Sequence, residues 1–347
     1  MSMKSIVTQT VATSIVLLLI GNNVAQAVDG GPEDAMEVRR LLNARPLDFH
    51  DVPLAKTKSA AGGETIVLPV SQGFHQRGTG LCWAYATLNA LETIYLVRNP
   101  GGLDVELSRR AMQYYTMEDR YRRSIKKVNT YITEAGVAMD AIRLIQCNGI
   151  VSFDDYPDIA DSYGQANIRD MINSAESVTD KLVAMYEGLD VVYTTPPTLT
   201  HIPGSPTVQE PDPIYVEAEA GVLAQLVLAG DVWQSYAPSE TKVGFDDHPD
   251  PDARWENLSW YMPPSEFPGR IKQALEAGFP VMVTVRNHVV LLYGAEYDSD
   301  GAPVTYYIKD SYDELRFIDG HVYWGYFYEA EANYLHEIFW EMTTVKL

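Results

Sequence analysis

The sequence predicts an α+β protein in which a helical half precedes a half built from antiparallel strands. Between residues 82 and 147, apolar side chains recur at helical spacing, and Asn99-Pro100-Gly101-Gly102 and Asn148-Gly149 interrupt the pattern. Between residues 280 and 327, apolar and alternating runs are separated by turn sequences such as Asp298-Ser299-Asp300-Gly301. We expect the two halves to pack as two lobes, and a cleft between lobes is a common position for a functional site.

The first 63 residues are predicted to precede the main domain. Residues 1–27 combine a positive start, the apolar run Ile6–Ile20 and the small-residue site Ala25-Gln26-Ala27, the pattern of a secretory signal peptide. An uncleaved anchor is the alternative, but no later stretch has the roughly 20 apolar residues that a membrane span needs. We therefore expect an exported protein, periplasmic or secreted, with no membrane span once the leader is removed. Residues 28–63 are interpreted as an N-terminal arm and linker.

Charge and composition exclude several classes of partner. The chain has 26 Lys and Arg against 47 Asp and Glu, a net charge of −21, so we expect no nucleic-acid partner. Its two cysteines, Cys82 and Cys147, could form one disulfide in an exported protein, but we favour two free thiols. The acidic segment Asp246–Asp252 lacks the central glycine and terminal glutamate of a calcium loop. We expect no metal and no cofactor.

Helices and strands are placed from periodicity and from the residues that end each pattern. Helices are predicted at 82–97, 108–123 and 138–147, where Ser108 can cap the second and Asn148-Gly149 can end the third. The region 158–252 is less regular, with helical periodicity at 168–187 and 215–228 around a proline-rich surface loop. A short helix is predicted at 271–277, and strands are predicted at 64–70, 280–285, 288–297, 304–309 and 321–327.

The segment from Gln76 to Tyr85 carries the first chemical signal. Cys82 follows a glycine-rich turn and begins a predicted helix, and Gln76 lies six residues upstream. The partial positive charge of a helix N-terminus makes a thiol more acidic and more nucleophilic. A side-chain amide can donate a hydrogen bond to a developing oxyanion. These residues predict acyl chemistry on Cys82.

A thiol nucleophile needs a base, and His288 is the strongest candidate among the seven histidines. His288 opens a predicted strand, and a hairpin brings the following strand back to end at Lys309. Asp310 could therefore lie beside His288 and hold the imidazole in one tautomer. Asp313 and Asp298 remain alternatives for this role.

Taken in order, these motifs resemble the papain-like cysteine peptidases. The resemblance covers residues 64–328 apart from the middle segment. Its motifs are Gln76 to Cys82-Trp83-Ala84-Tyr85, Glu106-Leu107-Ser108, Ala135-Gly136, Gly149-Ile150 with Tyr156-Pro157, His288 to Ala295, and Lys309-Asp310-Ser311-Tyr312.

The resemblance implies a two-lobed fold over residues 64–347 with the active-site cleft between the lobes. A helical lobe at 76–157 and an antiparallel sheet or barrel at 253–347 would flank a divergent insertion at 158–252. It implies that Cys82 is the nucleophile, His288 the general acid and base, and Gln76, with the Cys82 amide, the oxyanion hole. Asp310 would orient His288. The implied substrate contacts are Gly80, Trp83, Ala135, Gly136, Ala138, Asn287 and Tyr312, and Tyr312 would also shield the His288–Asp310 contact.

Three features differ from that family. Asp310 stands where the family has asparagine, Thr79 replaces a disulfide cysteine, and the loop before His288 is nearly deleted. The principal hypothesis is a cysteine peptidase acting on peptides or proteins. Because Cys-His-Asp triads also serve acyl transfer, an acyltransferase is the second hypothesis, and a non-catalytic binding protein with this fold is the third.

Overall fold

The computed structural model describes residues 32–42, 44–46, 57–58, 62–76, 79–101, 105–126, 132, 134–157, 165–194, 196, 233–238, 242–244, 256–312, 315–318, 321–324 and 326–346. The predicted signal peptide at 1–27, the helical pattern at 215–228 and the acidic segment Asp246–Asp252 lie outside these residues. Among the described residues, no helix is long and apolar enough to cross a membrane.

The described parts of the predicted N-terminal arm are packed against the β lobe. Val38 and Leu42 are buried in the same apolar cluster as Ile66 and several strand residues, which explains why a segment with little motif content forms a helix here. The first elements of the described chain are helix α1 (Pro32–Leu41) and strands β1 (Arg45–Pro46), β2 (Thr57–Lys58) and β3 (Gly62–Val67), and β3 continues beyond the predicted arm.

The helical lobe is built around one central helix. Every side chain of α2 from Cys82 to Tyr95 is buried, as expected of a helix that is covered on all sides. The Ser108 hydroxyl caps the next helix by accepting the Ala111 amide at 3.0 Å, and Gly149 with φ 86° ends the third. These three predicted helices are confirmed as α2 (Cys82–Arg98), α3 (Arg109–Ile125) and α4 (Ala138–Asn148).

The helical pattern predicted at 168–187 forms two helices. Ser177 separates them because its hydroxyl accepts the Asp180 amide at 3.0 Å and so begins a new helix. The second of the pair packs against α3 of the helical lobe. Their bounds are α5 (Gln165–Ser174) and α6 (Val178–Tyr193).

The second half of the chain forms the sheet. After β4 (Trp233–Ala237), β5 (Lys242–Gly244) and β6 (Glu256–Tyr261), a short 3-10 turn (Pro264–Glu266) leads into helix α7 (Phe267–Glu276). The following elements are β7 (Val281–Val285), β8 (His288–Asp298), β9 (Pro303–Lys309), β10 (Leu315–Ile318), β11 (His321–Trp324), β12 (Phe327–Glu331), helix α8 (Ala332–Ile338) and β13 (Phe339–Val345).

The strand order is β1-β12-β9-β8-β7-β13-β4-β6-β5, with β3 also paired to β8, β2 paired to β3, and β10 and β11 forming a separate hairpin. The predicted antiparallel arrangement holds except that β4 and β6 are parallel, and the described strands form an open path, not a closed barrel. Strands β4 and β5 come from the region predicted as an insertion and extend the same sheet. Helix α8 and β13 were not predicted. Strand β13 forms by pairing with β7 and β4, which lie far from it along the chain, so no local pattern marked it.

Strand pairing brings the first residues of β8 next to the last residues of β9. Val285 pairs directly with His288, so Arg286 and Asn287 alone form the turn between β7 and β8. Arg286 has φ 52°, a conformation that tight hairpin turns use. Because Leu291 pairs with Lys309, the residue that follows β9 lies close to the residue that begins β8.

A buried ionic network joins the helical lobe to the end of β9. Glu92 on α2 accepts two hydrogen bonds from Arg109, at 2.5 and 2.9 Å, one from the Leu107 amide at 2.9 Å and one from the Ser71 hydroxyl at 2.5 Å. Lys309 donates to the Ser71 hydroxyl at 2.8 Å. Burial raises the pKa of Glu92, but Arg109 and Lys309 outweigh it and hold that pKa below its usual value. Burial lowers the pKa of Lys309 to about 7.

The Glu92→Ala variant is predicted to lose about 3–5 kcal/mol of unfolding free energy, because Arg109 and Lys309 would remain buried without their partner charge. Urea denaturation measures this loss. Glu276→Ala, at an exposed position of α7, is the matched control and should change stability by no more than about 0.5 kcal/mol. Equal losses in the two variants would contradict the prediction.

Candidate active site

Cys82 is the first residue of α2. Leu81 precedes it as an N-cap without a side-chain hydrogen bond, and the first turn of α2 carries no acidic residue. The partial positive charge of the helix N-terminus is therefore not neutralised by a side chain of that turn. The thiol is free and fully buried, whereas the side chain of Cys147 lies outside the described residues.

His288 lies between Cys82 and Asp310. Its Nε2 is 2.7 Å from Asp310 Oδ1, and both side chains are fully buried. Within the described chain, Nδ1 has no hydrogen bond of ordinary geometry, but the Cys82 thiol lies close enough to raise the pKa of the imidazole. Burial lowers the pKa of His288, and the charge and hydrogen bond of Asp310, together with Cys82, outweigh this and raise that pKa to about 10. The imidazolium form is thus strongly favoured.

Asp310 is held on both carboxylate oxygens. Besides His288, Oδ1 accepts the backbone amides of Ser311 at 2.6 Å and Tyr312 at 3.3 Å. Oδ2 accepts Nε and Nη2 of Arg39, each at 3.2 Å. Burial raises the pKa of Asp310, but His288 and Arg39 outweigh it and hold that pKa far below its usual value. The carboxylate is ionised and faces a cation on each side.

Tyr312 covers the imidazole. Its ring centroid lies 5.8 Å from that of His288, and it is buried. The ring of His75 packs edge-on against Tyr312 at 5.3 Å. The resemblance implied that Tyr312 shields the His288–Asp310 contact, and that role stays a prediction.

The Gln76 side chain is oriented by two contacts. Its Oε1 accepts the Ser311 hydroxyl, and its Nε2 donates to the Thr79 carbonyl at 2.5 Å. The Gln76 backbone amide donates to the Ser311 carbonyl at 2.8 Å. The segment before Cys82 is therefore tied to the residue after Asp310. The role of Gln76 in an oxyanion hole stays a prediction.

Two of the predicted substrate contacts, Gly80 and Gly136, lie against the indole of Trp83, itself a predicted contact. Trp83 Nε1 donates to the carbonyls of Gly80 at 3.0 Å and Glu134 at 2.9 Å. A Cβ on Gly136 would lie 2.6 Å from the indole, so glycine permits the close approach. Glu134 also accepts the Gly80 amide at 3.0 Å and Gln113 Nε2 at 2.9 Å. This bonding fixes the glycine turn before Cys82.

The other predicted substrate contacts differ in exposure. Ala138, the first residue of α4, and Ala135, three residues before it, are buried, while Asn287 is exposed in the two-residue turn before His288. Their contacts with a substrate stay predictions. Asp298 and Asp313 were the alternatives to Asp310 as the partner of His288. The Asp298 carboxylate instead accepts the Asp300 and Ala302 amides within its own turn, and Asp313 lies outside the described residues.

Sequence reasoning missed Arg39, Glu134 and Ser311. Arg39 is 271 residues from Asp310 along the chain, and no motif marked it. Glu134 directly precedes the quoted Ala135-Gly136 pair, and Ser311 lies inside the quoted Lys309–Tyr312 motif, so both had a positional signal. Within the described residues, no cluster of three or more His, Cys, Asp or Glu side chains could hold a metal ion.

No family model matches the sequence, and no curated protein matches it significantly. The chain is similar to the crystal structure of PepW from Lactobacillus rhamnosis, with a TM-score of 0.55 and 13% identity over 98% of this chain and 89% of that chain. It also matches a digestive procathepsin L 3 of Tenebrio molitor (TM-score 0.40, 13% identity, 97% and 88% covered) and the cysteine protease xylellain from Xylella fastidiosa (TM-score 0.33, 12% identity, 87% and 93% covered). Because the last two TM-scores are low, the assignment depends on PepW, and it concerns the fold alone. The predicted papain-like α+β fold is confirmed.

The stability of the protein is predicted to fall as pH rises through the range set by His288. The folded protein holds this proton with a pKa of about 10, against 6.5 for the ordinary group. The contribution of protonated His288 to the free energy of unfolding is therefore fully present below about pH 6.5 and is lost as pH rises towards about 10.

Urea denaturation of the wild type and of His288→Gln across this window measures the effect. The wild type should lose a few kcal/mol relative to the variant. Parallel stability curves for the two proteins would refute the assigned ion pair.

Proposed function

We propose that this protein is an exported cysteine-type peptidase that hydrolyses peptide bonds in peptide or protein substrates. The observation that carries the proposal is the buried series of Cys82, His288 and Asp310. The base interacts with the thiol on one side and is held by a carboxylate at 2.7 Å on the other. A nucleophile, a base and an orienting group in this order are the requirement for covalent acyl transfer.

Acylation begins with the thiolate of Cys82. The sulfur attacks the carbonyl carbon of the peptide bond, a C–S bond forms, and the carbonyl electron pair moves to the oxygen. The backbone amide of Cys82 and the Gln76 side chain are the proposed donors to this oxyanion. His288 then gives its proton to the amide nitrogen, the C–N bond breaks, and the amine product leaves.

Deacylation uses the same imidazole in its neutral form. His288 takes a proton from water, the water oxygen attacks the thioester carbon, and the C–S bond breaks. The carboxylic product leaves, and the thiolate–imidazolium pair is restored. Asp310 does not change its charge during the cycle, and it keeps the imidazole in one orientation.

The substrate must reach a thiol that is closed off in this structure. Cys82 and His288 are both fully buried, so peptide binding requires the residues that cover them to move. Among the proposed substrate contacts, Ala135 and Ala138 are small and apolar, and they support an apolar subsite beside Trp83.

Two observations favour a second candidate function, acyl transfer to an acceptor other than water. The proposed orienting residue is Asp310, and the loop before His288 is reduced to the turn Arg286-Asn287. A shorter loop leaves more room for an acceptor next to the thioester. A non-catalytic binding role is the third candidate.

The Cys82→Ala variant is predicted to lose all peptidase activity and all labelling by an epoxide-type thiol inhibitor, because both need the sulfur. Peptide mass analysis of the labelled wild type should locate the inhibitor on Cys82. Cys147→Ala, which removes the other cysteine of the chain, is the matched control and should retain both. Activity that persists without Cys82 would exclude the proposed mechanism.

Addition of an amine or thiol acceptor to the peptidase assay decides between hydrolysis and transfer. We expect a free carboxylate as the product in every case, because a thioester next to a general base reacts with water. Mass spectrometry of the products detects either outcome. Predominant transfer of the acyl group to the added acceptor would contradict the peptidase proposal and support the acyltransferase.

A further inference from the structure

The site contains one more buried charge than the catalytic cycle uses. In the proposed cycle the thiolate and the imidazolium together are neutral, and the ionised Asp310 adds a negative charge beside them. A buried charge without compensation is strongly unfavourable and also shifts the proton affinity of its neighbours. The structure places a compensating cation at this point, and it comes from the N-terminal segment.

Arg39 is held in one position by several contacts. Its side chain is 4% exposed, and Nε and Nη2 each lie 3.2 Å from Asp310 Oδ2. Nη2 also donates to the Tyr312 carbonyl, and the guanidinium lies 5.2 Å from the ring centroid of Tyr328. His288 and Arg39 therefore occupy different oxygens of the same carboxylate, and neither displaces the other.

We propose that Arg39 is a positioning residue of the catalytic site, whose guanidinium cancels the charge of Asp310 and thereby keeps the His288 proton mobile. The proposal rests on the proposed peptidase function, because a mobile proton matters when one imidazole must act as acid and then as base. If Asp310 faced His288 alone, the imidazolium would hold its proton more tightly. Deacylation, which needs neutral imidazole, would then slow.

Two other charged residues of the described chain lie near this cluster and have partners elsewhere. Lys309 is adjacent to Asp310 in sequence but is bonded to Ser71 on the other side of the strand. Arg286, in the turn before His288, pairs with Glu37 at 2.6 Å, and both are 42% or more exposed, so water screens that pair. Among the described residues, Cys82, Asp310 and, through Asp310, Arg39 are the groups whose charges set the proton affinity of His288, and Tyr312 covers the ring.

A double-substitution experiment tests the proposal. Arg39→Met removes the guanidinium but keeps an apolar stem, Asp310→Asn removes the carboxylate charge, and the double variant removes both. Arg40→Met is the matched control, because Arg40 is the next residue of α1 and its side chain is 74% exposed. The readout is the pH midpoint of the His288 imidazolium, followed by NMR on histidine-labelled protein and assigned with His288→Gln.

Arg39→Met should raise the His288 midpoint by about 1 pH unit, and Asp310→Asn should lower it by a similar or larger amount. The double variant should return towards the wild type, and Arg40→Met should leave the midpoint unchanged. In the peptidase assay, Arg39→Met should slow deacylation at neutral pH about tenfold, and the double variant should recover part of this loss. An unchanged midpoint in Arg39→Met would overturn the proposal and leave Arg39 as a packing residue.

Folding and function can be separated in this design. If Arg39→Met fails to fold, the double variant decides. A folded double variant with a midpoint near that of the wild type supports charge compensation, and an unfolded one overturns it. The NMR titration does not depend on turnover. A shifted midpoint in a protein that cleaves no peptide would therefore support the electrostatic role of Arg39 while refuting the proposed function.

Discussion

A carboxylate buried away from water must have its lone pairs satisfied and its charge balanced. Asp310 meets this requirement with residues from three parts of the chain: His288 from the start of β8, Arg39 from α1, and the two backbone amides that follow it. If one of these partners moved away, part of the buried Asp310 charge would be left without compensation. This one group therefore fixes the N-terminal helix, the strand edge and the imidazole relative to one another.

Lys309, the residue before Asp310, also holds distant segments together, and its side chain points to the opposite side of the strand. Lys309 reaches Ser71, and Ser71 in turn bonds to Glu92 on α2, the helix that begins at Cys82. Successive residues of a strand point in opposite directions, so two adjacent residues anchor two different parts of the molecule. The distance between the helix that carries the thiol and the strand that carries the imidazole is thus set by buried polar contacts.

The N-terminal segment has a chemical connection to the site in addition to a structural one. Its helix packs apolar side chains on the β lobe and directs Arg39 to Asp310. An asparagine at position 310 would hold an imidazole without adding charge, whereas Asp310 adds a negative charge that Arg39 balances. The carboxylate at position 310 and the folded N-terminal segment are therefore two aspects of one arrangement.

The sequence by itself determined the central helices, the hairpin strands and the order of Cys82, His288 and Asp310, because local periodicity, caps and turns encode them. It did not predict α8 and β13, the parallel pair of β4 and β6, or Arg39. These depend on contacts between distant segments, and for Arg39 the separation from Asp310 is 271 residues. A surface arginine and a buried one look alike in a sequence. Only the tertiary structure decided which arginine faces the carboxylate, because the need for a compensating cation arises when folding excludes water from Asp310.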